Sequence, residues 1–197
     1  MPISKLLEQV AMHVIALYKQ YQTPFLLYHN LEHTEFVVSR TDEIAANYSL
    51  CETELFILST AAWFHDTGQL FGMPEQHEER SVSIMQNFLE TKIIEKEIID
   101  TIKGCILATK LSQNPTSLLE EIICDADTYN LGTEDFFKTD RLLKKEFELR
   151  NNASPDNWDK QTLELLEKHK YFTSCCRAKL EKGKQKNIEK VRSVVKK

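Results

Sequence analysis

Three short segments of this chain hold residues that could ligate one metal ion between them: Tyr28-His29-Asn30-Leu31-Glu32-His33, Trp63-Phe64-His65-Asp66-Thr67-Gly68 and Cys124-Asp125-Ala126-Asp127-Thr128-Tyr129. A metal site needs several deprotonated nitrogen and oxygen ligands converging from different elements. His65 and Asp66 follow directly on the apolar run 55–64. A buried carboxylate is costly unless it is paired or bound to a cation, so an Asp there asks for one. Neighbours on a helix point about 100° apart, so both side chains reach one ion only near a helix end. Gly68, just beyond, agrees with such an end. His29 and His33 lie four residues apart on one helix face, which also suits a solvated pair. Asp127 alone could be a capping or ion-paired residue, and Asp125, two positions earlier, faces another side of a helix. Each segment is weak by itself; their combination in this order is the signal.

Helices must position these residues. The chain has 197 residues, 42% of them hydrophobic, and only five glycines and five prolines. That predicts a folded, helix-rich protein with room for a sizeable core, as one domain or one domain with a helical extension. Apolar periodicity predicts helices over 3–22, from a cap at Asn30 to about 48, and from Thr53 to near Gly68. Further helices are expected over 76–90, 94–108 and 117–131, the last stopped by Gly132. Thr133 is read as the cap of a helix reaching Arg150, followed by helices near 157–170 and 173–194. No run alternates with period two for long, so the fold class is all-α.

Composition narrows the function classes. The net charge of −5 gives no general basic bias, so no nucleic-acid partner is expected. The nine lysines and arginines between 177 and 197 read as a solvated helix face. The five cysteines are odd in number and lack a C-x-x-C pair. Cys51, Cys105 and Cys124 read as small buried residues, and a reduced, cytoplasmic setting is the expectation. The apolar run is too short to span a bilayer, and the N-terminus does not read as a signal peptide.

The ordered set His33, His65-Asp66 and Asp127, in the wording YHNLEH, AAWFHDTG, HEERS, ATK and DADTYNLG, resembles the HD superfamily of metal-dependent phosphohydrolases over roughly residues 10–150. The resemblance implies an HD-domain helical bundle with one divalent metal ion at its centre, held by His33, His65, Asp66 and Asp127. Asp127 is favoured over Asp125 because the family's ligand follows an Ala. Mixed nitrogen and oxygen ligands suit Mn, Fe, Ni, Zn or Mg without choosing among them. Residues 1–150 would form the HD domain, and 151–197 a helical extension of it or a linker to a further domain. His77 matches a histidine that binds phosphate or a second metal in many relatives. The ATK segment at 108–110 stands where some of them carry another His, so a single ion is favoured. Arg80 and Lys110 become candidate phosphate contacts. Glu78 and Glu79, alongside Asp66, become candidate catalytic carboxylates, although acidic residues also suit an exposed helix start. YHN-x-x-H further resembles the entry motif of cyclic-nucleotide phosphodiesterases, which implies His29 as general acid; the rest of that pattern is absent.

The implied function is hydrolysis of a phosphate ester or anhydride on a nucleotide or related phosphorylated metabolite. The alternative is a nucleotide-binding sensor or regulatory HD module with little or no turnover, as in HD segments upstream of Pycsar-type membrane effectors. A scaffold with a structural metal is the third reading. A homodimer is compatible with the sequence, which leaves oligomeric state open.

Overall fold

The computed structural model describes residues 2–196. The α-helices are α1 (Ile3–Tyr21), α2 (Leu31–Ala45), α3 (Glu52–Phe64), α4 (His77–Leu89), α5 (Lys96–Ala108), α6 (Leu118–Asp127), α7 (Phe136–Asn151), α8 (Trp158–Lys168) and α9 (Ser174–Val195). Short 3-10 turns, Thr67–Phe71 and Tyr129–Gly132, follow α3 and α6. No strand occurs among the described residues.

α3 is apolar on nearly every side, and α1, α2, α5 and α6 pack around it. Phe56, Ile57, Leu58, Ala61, Ala62 and Phe64 are all buried along it. Each fully buried Phe, Ile or Leu contributes about 1.5–3 kcal/mol relative to exposure. The surrounding helices are amphipathic: α1 turns Leu6, Val10, Val14 and Tyr18, one per turn, toward the core. A smaller cluster of Leu131, Phe136, Leu166, Ile188 and Val191 joins the Tyr129–Gly132 turn to α7, α8 and α9.

The structure corrects several sequence-based expectations. α3 ends at Phe64, and the chain tightens into the 3-10 turn before Gly72. α6 stops at Asp127 instead of running to 131. Thr133 does not cap α7: its hydroxyl donates to Asn130 O at 2.9 Å, and Asp135 precedes the helix. Cys51 is exposed, and it is the residue that caps α3; Cys105 and Cys124 are buried.

The basic run on α9 is only partly a solvated face. Lys184 is buried, with Nζ donating to His169 O at 2.7 Å, and Asn187 Nδ2 donates to Leu131 O and Thr133 O at 3.0 Å each. Gly132 is also more than a helix stop. Gly183 of α9 presses on it so closely that a Cβ at Gly183 would sit 2.0 Å from Gly132 O. No helix among the described residues is long and apolar enough to cross a membrane.

Candidate metal centre

Helix ends deliver the central side chains. Asn30 caps α2 by accepting the His33 N–H at 3.0 Å, while its own amide donates to Leu27 O at 2.9 Å. That sets His33 in the first turn of α2. His65 is the C-terminal cap of α3, and Asp66 lies just outside at φ −109 and ψ 4. This break in helical geometry lets two adjacent side chains face one point. Asp127 is the last residue of α6, whose termination there swings the carboxylate toward both histidines.

The four groups converge. His33 Nε2 lies 3.3 Å from Asp66 Oδ2 and 3.4 Å from Asp127 Oδ1. His65 Nε2 lies 3.3 and 3.6 Å from the same two atoms. The two Nε2 atoms are 3.4 Å apart. His65 Nδ1 donates to Ala62 O at 2.8 Å, which leaves the Nε2 lone pair of the neutral ring pointing into the cluster. Ligand atoms ~2.1 Å from a common ion, at about 90–110° to one another, stand roughly 3.0–3.4 Å apart. The donor set therefore fits a divalent cation. Among the described residues, His33, His65 and Asp127 form a set whose ligand atoms lie within 4.8 Å of one another, and Asp66 joins through its contacts to both imidazoles.

The electrostatics follow from burial against pairing. His65 is 1% exposed. Burial opposes its charged form, yet the charge of Asp66 and the bond to Asp127 prevail and raise its pKa. His33 behaves alike: burial is outweighed by hydrogen bonds to Asp127 and Asp66. Asp66 and Asp127 are conversely held below the usual carboxylate range. Burial opposes this, but His65 and His29 lower Asp66 by charge, and bonds to His33 and His65 lower Asp127. Without a cation, the two carboxylates favour protonation of the histidines.

His77 lies beside this cluster. Its Nδ1 faces Pro74 O at 2.7 Å and its Nε2 faces Asp66 Oδ1 at 3.2 Å. Nδ1 carries the hydrogen that faces Pro74 O, and the charge of Asp66 favours a second proton at Nε2. Its pKa is raised accordingly: burial opposes, and the Asp66 bond and charge prevail. Gly68 makes this placement possible, because a Cβ there would sit 2.0 Å from His77 O.

The other predicted residues scatter more. Glu78 is buried, 3.5 Å from His77 Nδ1. Glu79 and Lys110 form an exposed 2.7 Å ion pair between α4 and the end of α5. Arg80 is engaged by backbone carbonyls: Nε donates to Gly68 O at 3.1 Å, Nη1 to Glu75 O at 2.7 Å and Nη2 to Met73 O. Asp125 is buried on the opposite side, accepting from Phe172 N, Thr173 N and the Thr173 hydroxyl at 2.8, 2.8 and 2.6 Å. It anchors the start of α9.

His29 borders the cluster, its ring centroid 6.0 Å from that of His33 and 6.3 Å from that of His77. Its Nδ1 meets Glu146 Oε1 at 2.6 Å. Glu146, on α7, was not singled out by sequence reasoning, nor was Arg150, which donates to Glu146 Oε1, Gln69 Oε1 and Gly72 O. In sequence the two form an ordinary i, i+4 helical pair.

No protein-family model matches the sequence, and no curated protein matches it. By fold, the chain is similar to a crystal structure of a predicted HD superfamily hydrolase from an uncultured Thermotogales bacterium. The TM-score is 0.62 at 19% identity, and the match covers 99% of this chain and 98% of that one. The likeness shows that the two chains share one all-α fold over essentially their whole length.

Proposed function

We propose that this chain is a metal-dependent phosphohydrolase of the HD type, acting on a phosphate ester or anhydride of a nucleotide or a related phosphorylated metabolite. The observation behind this reading is the convergence of two imidazole nitrogens and two carboxylate oxygens at ligand spacing, at the buried end of α3. His33, His65, Asp66 and Asp127 would hold one divalent cation. When bound, such an ion supplies Lewis acidity toward a phosphoryl oxygen and toward water. Residues 151–197 belong to the same folding unit in this reading, because Tyr171, Cys176 and Leu180 join the main core.

The chain's own residues divide the remaining work. His77, as an imidazolium, faces the phosphoryl group with positive charge. Hydrolysis joins the water oxygen to phosphorus and breaks the bond to the leaving oxygen. That oxygen keeps the bonding electron pair and takes the proton that His29 gives from Nε2. The proton lost by water passes to solvent, and Asp66, held as a carboxylate, orients that water. Lys110, exposed and paired with Glu79, offers its charge at the rim, whereas Arg80 secures the 68–75 loop.

The test is metal analysis of the purified protein, followed by a screen of phosphomonoesters, phosphodiesters and nucleotides with each candidate metal. About one ion per chain and turnover of at least one class are expected. Both should be lost in His65→Ala and Asp66→Ala, with turnover falling more than about 100-fold. Turnover that survives in both variants refutes the reading. Metal-dependent nucleotide binding without turnover selects the sensor role instead.

A further inference from the structure

Between α8 and α9 lies a cleft of about 450 Å3 that none of His33, His65, Asp66 and Asp127 lines. That is the size of a small-molecule pocket and more than a bare ion requires. Lys170, Arg177 and Lys184 bring three cations to its lining, and Glu167 and Glu181 bring two carboxylates.

The carboxylates do not balance the cations, because both are already engaged. Glu167 is held by Arg192 at 2.6 Å. Glu181 is held by Gln185 at 2.7 Å and by Lys184 at 3.2 Å. Lys184 is the residue that needs a reason, since it is only 3% exposed. Its Nζ donates to His169 O at 2.7 Å, at the C-terminal end of α8. A lysine suits a helix C-terminus, but an exposed one would serve there and keep its hydration. An ammonium has three hydrogens, and among the described residues Lys184 meets two acceptors, one of them the partly exposed Glu181. Arg177 commits Nη1 to the carbonyls of Tyr171 and Phe172, and among the described residues Nε and Nη2 have no acceptor. Lys170 is exposed at the rim, with no ion-pair partner among the described residues. The charge of a buried group is screened less by salt and water than that of a surface lysine. Lys184 therefore makes the floor of the cleft positive, and Arg177 and Lys170 hold donors above it.

We propose that this cleft is a second binding site, for a small organic anion whose phosphate or carboxylate group is held by Lys170 and Arg177 over the buried charge of Lys184. The site is independent of the hydrolase reading, since it needs neither the metal nor turnover.

The test uses the full-length protein freed of metal with a chelator, so that no anion binds through a metal ion. Titration calorimetry with pyrophosphate, AMP and citrate is expected to show one site for at least one of them. Tighter binding of the phosphates or of citrate identifies the preferred head group. Lys184→Met keeps the length of the side chain and removes its charge, and Lys170→Glu reverses a charge at the exposed rim. Each should weaken binding about tenfold or more, with the metal content of the reloaded protein unchanged. If Lys184→Met does not fold, Lys170→Glu and Arg177→Gln carry the same expectation. No binding of any of the three anions at about 10 mM refutes the proposal. So does binding of equal strength in the wild type and the folded variants, which would place the anion elsewhere on the protein.

Discussion

Asp125 and Asp127 are two residues apart and have opposite surroundings. Asp127 faces two imidazoles, while Asp125 accepts three hydrogen bonds from Phe172 and Thr173. Replacing Asp125 by Asn puts an amide NH2 against N–H donors in a buried place. We expect Asp125→Asn to keep its metal and lose about 2–3 kcal/mol of unfolding free energy in denaturant titration. Asp127→Asn should do the reverse and lose the metal. His169 supports a pH prediction. Burial, and then the charge of Lys184, lower its pKa to about 4 from 6.5. A folded state that resists this proton is stabilised above the unfolded pKa, and the contribution is lost as pH falls from 6.5 toward 4. Comparing pH 7.5 with pH 5, wild type should lose about 1–2 kcal/mol more than His169→Gln does. Parallel losses in the two proteins would contradict the assignment.

Helices here meet at glycines where any side chain would collide. At Gly183 two effects compete. Alanine gains about 1 kcal/mol of helix propensity in α9, but its Cβ would lie 2.0 Å from the backbone oxygen of Gly132, which cannot swing aside as a flexible side chain would. Overpacking of this kind costs about 1–3 kcal/mol, so Gly183→Ala is expected to lower stability despite the propensity gain. Gly68→Ala meets His77 O at the same 2.0 Å. It should push the start of α4 away from Asp66 and thus impair the site as well as the fold. Thermal melts with and without metal would separate the two: metal-induced stabilisation should survive in Gly183→Ala and shrink in Gly68→Ala.

At the scale of the molecule, the centre couples metal, protons and stability. His33, His65 and His77 have raised pKa values in the metal-free protein. Their contribution is complete below about pH 6.5 and is lost as pH rises through the raised values. A cation bound by His33 and His65 replaces the protons on those two rings, so it binds better as pH rises. At a free metal concentration of 100 Kd, binding adds about 2.7 kcal/mol, or roughly 5–10 °C in Tm for a chain of this size. The increment in Tm on adding MnCl2 should therefore grow from pH 6 to pH 8. A constant or falling increment would place the ion elsewhere.

The sequence by itself determined the helical class, because a 3.6-residue apolar period and few glycines admit little else. It also marked out His65 and Asp66, because a carboxylate beside a histidine is costly to bury there without a cation, whereas His33 and Asp127 were marked mainly by the resemblance of the ordered motifs. Most helix limits were legible from apolar periodicity and from caps such as Asn30. The ends of α3 and α6 were not, since both stop where the side chains of Asp66 and Asp127 must turn toward a common point. Only the tertiary structure decided which polar residues surround that point. Glu146 lies 117 residues from His29 and reads locally as a surface glutamate. Arg80 reads as a phosphate clamp until its donors meet the carbonyls of the 68–75 loop. A hydrogen bond between distant segments depends on how helices dock, and docking is set by shape and burial summed over the whole core, which no local pattern of residues contains.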